Sequence, residues 1–256
     1  MKKPLFLVYG IFCYVVSLAT IGYAALYFGN ICVPHTIDMF GAMRTEHALA
    51  VNAALIFGFA LQHSGMARNS LKRLLARVVS NCMVRSTYIL MSSLAIIALM
   101  VFWQPIGILV WSVESSFYGV LIAAVYFGGW VLILWSTCLV DHLEMFGLRQ
   151  AWTASRGGTC AEPDFQAPGA YRHIRHPIHV GWIIVLWATP VMTVTHLLLA
   201  VGMTMYIVAG TALEEVDLRN RYRDYAQYMR KVPKFIPSLR RRLDTPGSEP
   251  FSRKGL

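Results

Sequence analysis

Charged residues are scarce in this sequence. Asp, Glu, Lys and Arg make up 14% of its 256 residues, against about 25% in soluble globular proteins. Acidic residues are the rarer kind, with 13 Asp and Glu against 23 Lys and Arg. A hydrophobic content of 56% and a mean hydropathy of +0.51 exclude an ordinary soluble domain. No polar, Pro- or Ser-rich linker divides the chain, so we expect one domain over residues 1–243 and a disordered tail at 244–256.

Cysteine is equally sparse and follows no motif. The chain has no C-x-x-C pair, and two of the cysteines lie inside apolar runs. We therefore expect free thiols that pack as small hydrophobic side chains, rather than disulfides or metal ligands. The five positions are Cys13, Cys32, Cys82, Cys138 and Cys160.

Long apolar runs are what the chain has instead. A membrane-spanning helix needs about 20 mostly apolar residues, and four apolar runs of about this length precede residue 141. A further apolar stretch, 178–213, is broken at Pro190 and predicts a helical hairpin. The first run is too long for the apolar core of a signal peptide. The expected fold class is all-α, a polytopic integral membrane protein with four N-terminal spans and a C-terminal hairpin. The four runs are 5–28, 48–67, 88–103 and 118–140.

The basic residues predict the orientation of these spans. If the N-terminus is cytoplasmic, 22 of the 23 Lys and Arg residues fall in cytoplasmic segments, and only Arg44 falls outside. Loops rich in Lys and Arg stay on the cytoplasmic side of a membrane, so we expect both termini there. The same pattern explains the net charge of +10 without nucleic-acid binding. The lipid bilayer is the expected partner, and nothing here sets an oligomeric state.

Residues 168–182 are more polar than a membrane topology requires. Gly169 permits a turn, Gly181 permits close approach of a backbone or ligand, and Pro177 suits the first turn of a helix. The free N–H groups at a helix N-terminus favour an anion, and neighbouring basic side chains strengthen this. The segment is therefore a candidate receptor for a carboxylate or phosphate. Its basic side chains are Arg172, His173, Arg175 and His176.

Two adjacent carboxylates, Glu214 and Glu215, end the last apolar run. Negative charge near a helix C-terminus is locally unfavourable, so the presence of two carboxylates there requires an explanation. One is pairing with Arg175 or Arg219, and the other is binding of a cation or a ribose hydroxyl. S-adenosylmethionine, with its carboxylate, ammonium, sulfonium and ribose, matches the charges of both segments, although a phospholipid headgroup would match them too.

At these residues the chain resembles the membrane methyltransferases related to isoprenylcysteine carboxyl methyltransferase and phospholipid methyltransferase. Two positions depart from that family's pattern: His179 stands where Tyr is usual, and Tyr222-Arg223 stand where Phe-Gly is common. The matching residues are Gly169, Tyr171, Arg175-His176-Pro177, Gly181, Glu214-Glu215 with Leu218, Tyr225, Tyr228, Val232-Pro233 and Pro237.

Upstream stretches are similar to the bacterial branch of this family that methylates methanethiol, namely 60–64, 85–88, 103–107 and 141–150. The resemblance covers about residues 5–239 and implies methylation of methanethiol to dimethyl sulfide in a bacterial inner membrane. It implies S-adenosylmethionine as the donor. The cofactor-binding residues expected on this basis are Tyr171, His173, Arg175, His176, Pro177, Gly181, Glu214, Glu215 and Tyr225.

A thiol is a weak nucleophile until it loses its proton, so a base near the donor should help. The candidates are His142, Asp141 and His63, each of which could instead cap or brace a helix. His173, His176 and His179 are spaced by three, but Pro177 argues against one continuous helix through them, and we expect no metal.

Three other functions stay open. The acceptor could be a lipid or an isoprenylated cysteine, and the chain could also keep the fold without catalysis. A small transporter is disfavoured, because no inverted repeat is visible and the charges cluster at one face.

Overall fold

A computed structural model describes residues 3–39, 44–160 and 165–237. The tail expected at 244–256 lies outside the described residues. Within them the chain is largely helical, with one small antiparallel sheet. The elements are α1 (Lys3–Phe28), α2 (Thr45–Ala67), α3 (Asn69–Leu75), α4 (Val84–Phe102), β1 (Leu109–Ser112), α5 (Ser116–Leu139), α6 (His142–Met145), α7 (Leu148–Ser155), α8 (Pro177–Trp187), β2 (Val191–Thr193), α9 (Val194–Arg221) and α10 (Tyr225–Lys231).

Five helices are long and apolar enough to cross a membrane: α1, α2, α4 with the turn before it, α5 and α9. Their outward faces carry large apolar side chains, such as Phe57, Leu61 and Val131, each more than 60% exposed. Aliphatic and aromatic side chains on the outside of a helix bundle suit contact with lipid rather than water. The predicted fold class, an all-α integral membrane protein with several spans, is confirmed.

The predicted hairpin consists of α8, a short strand and α9. Pro177 occupies the first turn of α8, as expected, and the helix ends at Trp187, close to Pro190. At 11 residues α8 is only about 16 Å long, too short to cross a bilayer. β2 lies in the turn of the hairpin between α8 and α9 and pairs with β1, the strand before α5. The sequence did not predict this sheet, because strands of three and four residues leave no period to detect.

Two glycines allow α5 and α8 to pack closely. A Cβ atom on Gly181 would lie 2.8 Å from the carbonyl oxygen of Gly129 and 2.6 Å from a side-chain carbon of Ile133. The expected close approach at Gly181 is therefore made by a backbone. It holds the N-terminus of α8 about one turn inside the end of α5, so a site at His176 is recessed from the bundle surface.

At the bundle end that carries few basic residues, Asp38 fastens the loop after α1 to the start of α9. Its carboxylate accepts hydrogen bonds from Asn30 (2.7 Å), the Thr193 hydroxyl (2.6 Å) and His196 (2.8 Å). These bonds lower the pKa of Asp38 against the opposing effect of its burial. The cluster is a structural tie, remote from the polar C-terminal segments.

One expectation is wrong. Cys82 and Cys160 form a disulfide, although they are 78 residues apart, whereas Cys13, Cys32 and Cys138 are free as expected. The bundle brings the turn before α4 against the segment after α7. Such a long-range approach leaves no trace in the local pattern around either cysteine.

Candidate functional site

A cavity of about 810 Å³ lies where the polar C-terminal segments meet. The cavity is lined by the end of α5 with α6, the start of α8, the late turns of α9, and α10 with the segment before α8. It is within the range of about 300–1,000 Å³ typical of small-molecule sites. Both segments that the sequence analysis singled out therefore contribute to one cavity.

Arg175 and Glu215 form a buried ion pair beside this cavity. Nε of Arg175 lies 2.8 Å from Oε1 of Glu215, and both side chains are about nine-tenths buried. Nη1 of Arg175 also donates to the carbonyl oxygens of Met229 and Val232. Arg175 thus ties the start of α8 to α9 and to the end of α10. Pairing of a glutamate with Arg175 was one of the two explanations left open, and it applies to Glu215.

His176 joins the same pair from the cavity side. Its Nε2 lies 3.0 Å from Oε1 of Glu215, and since a carboxylate can only accept, Nε2 donates. Burial lowers the pKa of His176, and the Glu215 carboxylate opposes the shift. Its other nitrogen, Nδ1, faces Glu214 at 3.7 Å. The ring is therefore held by Glu215 and turned toward Glu214.

Glu214 behaves differently from its neighbour. Its side chain is 50% exposed and lines the cavity. His179, one turn into α8, lines the cavity as well, with its ring centroid 5.4 Å from that of His176. Glu214, His176 and His179 each offer a ligand atom within 4.8 Å of the others. The two adjacent glutamates therefore differ in their surroundings: Glu215 pairs with Arg175 and His176, whereas Glu214 faces the cavity.

Aromatic rings form one wall of the cavity. The ring of Phe165 lies between 5.2 and 5.4 Å from the rings of Tyr222, Tyr225 and Tyr228. The Tyr228 hydroxyl donates to the carbonyl of Tyr171, at 2.6 Å. Burial raises the pKa of Tyr171, Tyr225 and Tyr228. These phenols thus stay neutral, and the wall offers flat rings to a planar or cationic ligand.

His142 lines the same cavity as His176 and His179. Its Nδ1 lies 2.9 Å from the Thr137 hydroxyl, whose own proton goes to the Leu134 carbonyl at 2.7 Å. Thr137 must therefore accept from Nδ1–H, which leaves Nε2 as the unprotonated nitrogen of the neutral ring. Burial lowers the pKa of His142, against an opposing effect of Asp141. The ring is thus presented as a hydrogen-bond acceptor.

The other two candidate bases are engaged elsewhere. Asp141 has φ of 70°, caps α6 by accepting from the Glu144 amide, and pairs with Arg149 at 2.5 Å. His63 is not among the cavity residues. Its Nδ1 donates to Ser92 at 2.9 Å, and its Nε2 accepts from Tyr88 at 2.8 Å. Both ring nitrogens of His63 are therefore occupied within a polar cluster between α2 and α4.

The cavity gathers most of the predicted residues, but not all. His173 is exposed, and neither it nor Pro177 nor Gly181 lines the cavity. Pro177 begins the helix, and Gly181 packs on α5. Seven predicted residues do line it: Asp141, His142, Tyr171, Arg175, His176, Glu214 and Tyr225.

Some residues in or beside the cavity were not assigned a role from the sequence. Phe165 lies in a segment without a motif, and the Thr137 hydroxyl lies inside an apolar run where it passes for ordinary helix composition. His179 was noted as a departure from the family pattern and for its three-residue spacing from His176, but it was given no role. The three-residue spacing of the histidines was a usable signal for His176 and His179, because α8 begins between them.

Known proteins resemble the chain over nearly its full length. A methanethiol S-methyltransferase of Crocosphaera subtropica is 38% identical over 240 residues, which are 93% of this chain and 94% of that protein. One from Mycobacterium tuberculosis is 40% identical over 238 residues, 93% of this chain and 98% of that protein. Nurim of Xenopus laevis is 32% identical over 177 residues, 66% of this chain and 62% of Nurim. No family model and no solved structure matches the chain.

Proposed function

The chain belongs to the methanethiol S-methyltransferase family, and on that premise we propose that it transfers a methyl group from S-adenosylmethionine to methanethiol, forming dimethyl sulfide. Membership makes it a methyltransferase, an enzyme that needs a methyl donor and works in a membrane. The observation that carries the proposal is that Glu214 and several aromatic residues line one cavity of sufficient size.

The donor's charges fit this cavity. Its sulfonium and ammonium groups are cations, which the Glu214 carboxylate and the faces of Tyr171 and Tyr225 attract. The adenine is a flat ring that suits stacking against the same aromatic residues. Arg175 lines the cavity, and its guanidinium, braced by Glu215, favours the donor's carboxylate.

The acceptor sulfur must approach the methyl carbon in line with the bond that breaks. Holding both reactants in one recessed cavity supplies that alignment and removes water from the reacting atoms. The thiol proton goes to Nε2 of His142, which Thr137 keeps in the acceptor tautomer. The sulfur lone pair then forms the new bond to carbon, and the electron pair of the broken bond stays on the donor's sulfur.

The two reactants reach the cavity from different phases. S-adenosylmethionine is charged and comes from the cytoplasm, which matches a cavity at the end of the bundle where the basic residues cluster. Methanethiol is small and apolar and enters from the bilayer.

Two exposed native cysteines report the orientation: in intact cells an impermeant thiol reagent should label Cys32 from outside and leave Cys138 unlabelled. Labelling of Cys138 alone would reverse the proposed orientation.

The reaction is tested with protein purified in detergent and donor carrying a labelled methyl group. Methanethiol and farnesyl-cysteine are offered in separate reactions, and labelled dimethyl sulfide in the headspace is the expected product. Methyl ester on farnesyl-cysteine without dimethyl sulfide would assign a larger acceptor instead. The absence of both products, with no binding of the donor, would show a protein that keeps the fold without catalysis.

A further inference from the structure

We propose that the disulfide between Cys82 and Cys160 is a redox-sensitive bond that regulates binding of the methyl donor, which is tighter when the bond is formed and weaker when a small cellular thiol has reduced it. The bond joins the turn before α4 to the segment after α7. In the orientation that the basic residues predict, both segments lie on the cytoplasmic side. Disulfides are rare in the cytoplasm, and those found there are usually transient and either redox-sensing or catalytic.

The bond is within reach of a small thiol. Cys82 is 9% exposed and packs in an apolar cluster with Ala151 of α7, whereas Cys160 is half-buried. The residues beside the two cysteines, Asn81 and Thr159, are exposed. Exchange requires access to the sulfur that is attacked, so a thiolate from solution reaches Cys160 more readily than Cys82.

Reduction of the bond proceeds by two exchanges. The thiolate of a first small thiol, such as glutathione, attacks Sγ of Cys160 and forms a mixed disulfide. The electron pair of the broken bond stays on the sulfur of Cys82, which takes up a proton. A second thiolate then attacks the small thiol's sulfur in the mixed disulfide, and Cys160 leaves and is protonated in turn. Two small thiols are thus oxidised to one disulfide, and the protein gains two thiols.

The start of α4 is one support of α6, the short helix that lines the cavity. Nε of Arg85 donates to the Met145 carbonyl at 2.6 Å, and Oγ of Ser86 donates to the Gly147 carbonyl at 3.1 Å. A Cβ atom on Gly147 would lie 2.6 Å from Oγ of Ser86, so the two segments are in close contact. Cys82 lies in the turn that leads into this part of α4.

The start of α7 is the other support of α6. Nε2 of Gln150 donates to the Glu144 carbonyl at 3.2 Å, and Sγ of Cys160 lies 3.5 Å from the Gln150 carbonyl oxygen. Glu144 lines the cavity, and His142, the proposed base, belongs to the same short helix. The bond between Cys82 and Cys160 therefore fastens the two supports of α6 to each other.

Loss of the bond gives the two supports independent freedom. A helix of four residues such as α6 is not stable by itself, so its position depends on these contacts. Without the bond, donor binding must also order the α6 wall of the cavity, and this ordering weakens the affinity. The effect on the donor rests on the proposed function, whereas the redox sensitivity of the bond does not.

The first experiment measures the redox state of the purified full chain, equilibrated in detergent with buffers of different ratios of reduced to oxidised glutathione. After denaturation, a maleimide of known mass counts the free thiols. The oxidised chain should react at Cys13, Cys32 and Cys138, and the reduced chain at Cys82 and Cys160 as well. We expect the transition within the ratios found in bacterial cytoplasm. A bond that stays closed, or open, at every ratio would overturn its redox sensitivity.

The second experiment measures the affinity of the oxidised and reduced chains for S-adenosylhomocysteine by calorimetric titration. Reduction should weaken binding by about fivefold, the effect of ordering part of the cavity on binding. Cys160→Ser cannot form the bond and should bind like the reduced wild type under both conditions. Cys32→Ser removes an exposed free thiol and should respond to reduction as the wild type does. Thermal unfolding shows whether each variant is folded, and the reduced wild type tests the same state without a substitution.

Hydrogen exchange locates the effect, since amides of residues 142–150 should exchange faster in the reduced chain. Equal affinity of the two redox forms, or tighter binding by the reduced form, would overturn the coupling to the donor. No binding of S-adenosylhomocysteine by either form would refute the proposed function and the coupling together. The glutathione titration would then still decide whether the bond is redox-sensitive.

Discussion

Oε1 of Glu215 lies 3.0 Å from Nε2 of His176 and accepts its proton. The same oxygen takes the Nε–H of Arg175 at 2.8 Å. One buried atom therefore fixes both residues that precede α8, and the adjacent Glu214 is left to face the cavity. This division of the two glutamates determines how substitutions in the site should behave.

Exchange of each glutamate for alanine should separate stability from donor binding. Glu215→Ala leaves the buried Arg175 without its partner, which costs about 3–5 kcal/mol of folding free energy for a buried pair. Glu214→Ala removes a half-exposed side chain, so its effect on stability should stay within about 0.5 kcal/mol, while its affinity for S-adenosylhomocysteine falls at least tenfold. Thermal unfolding in detergent and calorimetric titration measure the two effects. Equal loss of stability in both variants would contradict the different roles assigned to Glu214 and Glu215.

Thr137 should control the rate through His142. His142→Ala should lower kcat by about 10²-fold or more, the usual contribution of a positioned base. Thr137→Val removes the hydroxyl that accepts from Nδ1, so kcat should fall several-fold with donor affinity unchanged. Thr137→Ser retains the hydroxyl and is the matched control, expected to be near wild type. If Thr137→Val and Thr137→Ser have the same kcat, the threonine does not set the tautomer.

The pH profile should respond to Asp141. Burial lowers the pKa of His142, so the neutral, proton-accepting ring persists to lower pH than for an exposed histidine, and activity falls as pH drops through that pKa. The Asp141 carboxylate opposes the shift. Asp141→Asn removes its charge, retains a residue that can cap α6 and tolerates positive φ, and should move the acid limb of kcat/KM to lower pH. A shift to higher pH would exclude His142 as the group that titrates.

The packing of α5 on α8 should tolerate no side chain at Gly181. The added Cβ of Gly181→Ala would lie 2.6 Å from Ile133 and 2.8 Å from the Gly129 carbonyl, and overpacking of this kind costs about 1–3 kcal/mol. Gly128→Ala is the matched control, because a Cβ there meets nothing within 4 Å. Thermal unfolding compares the two. A Gly181→Ala protein as stable as Gly128→Ala would show that the two helices do not pack as described.

Local patterns predicted the parts of the fold that depend on local physics. Apolar runs marked the long helices, Pro177 marked the start of α8, and the two polar segments, which were expected to share one site, both line one cavity. The bridge between Cys82 and Cys160 and the pairing of β1 with β2 depend on approaches between distant segments. No residue near either partner encodes such an approach.

The sequence alone also could not distinguish between similar residues in and near the cavity. Charge and position in the sequence cannot tell Glu214 from Glu215, since the difference is the direction in which each faces from α9. Likewise, His63 and His142 both end apolar runs. Only the geometry shows that both nitrogens of His63 are occupied and that Nε2 of His142 is available.

The proposed function requires that the methyl donor bind in the cavity between α6, α8 and α10. It is tested most directly by determining the structure of the protein in lipid nanodiscs with S-adenosylhomocysteine. We expect the ligand in this cavity, with its sulfur near His142, His176 and Glu214, and its adenine against the ring of Tyr171 or Tyr225. A ligand bound elsewhere on the chain, for instance beside Asp38 at the opposite end of the bundle, would contradict it.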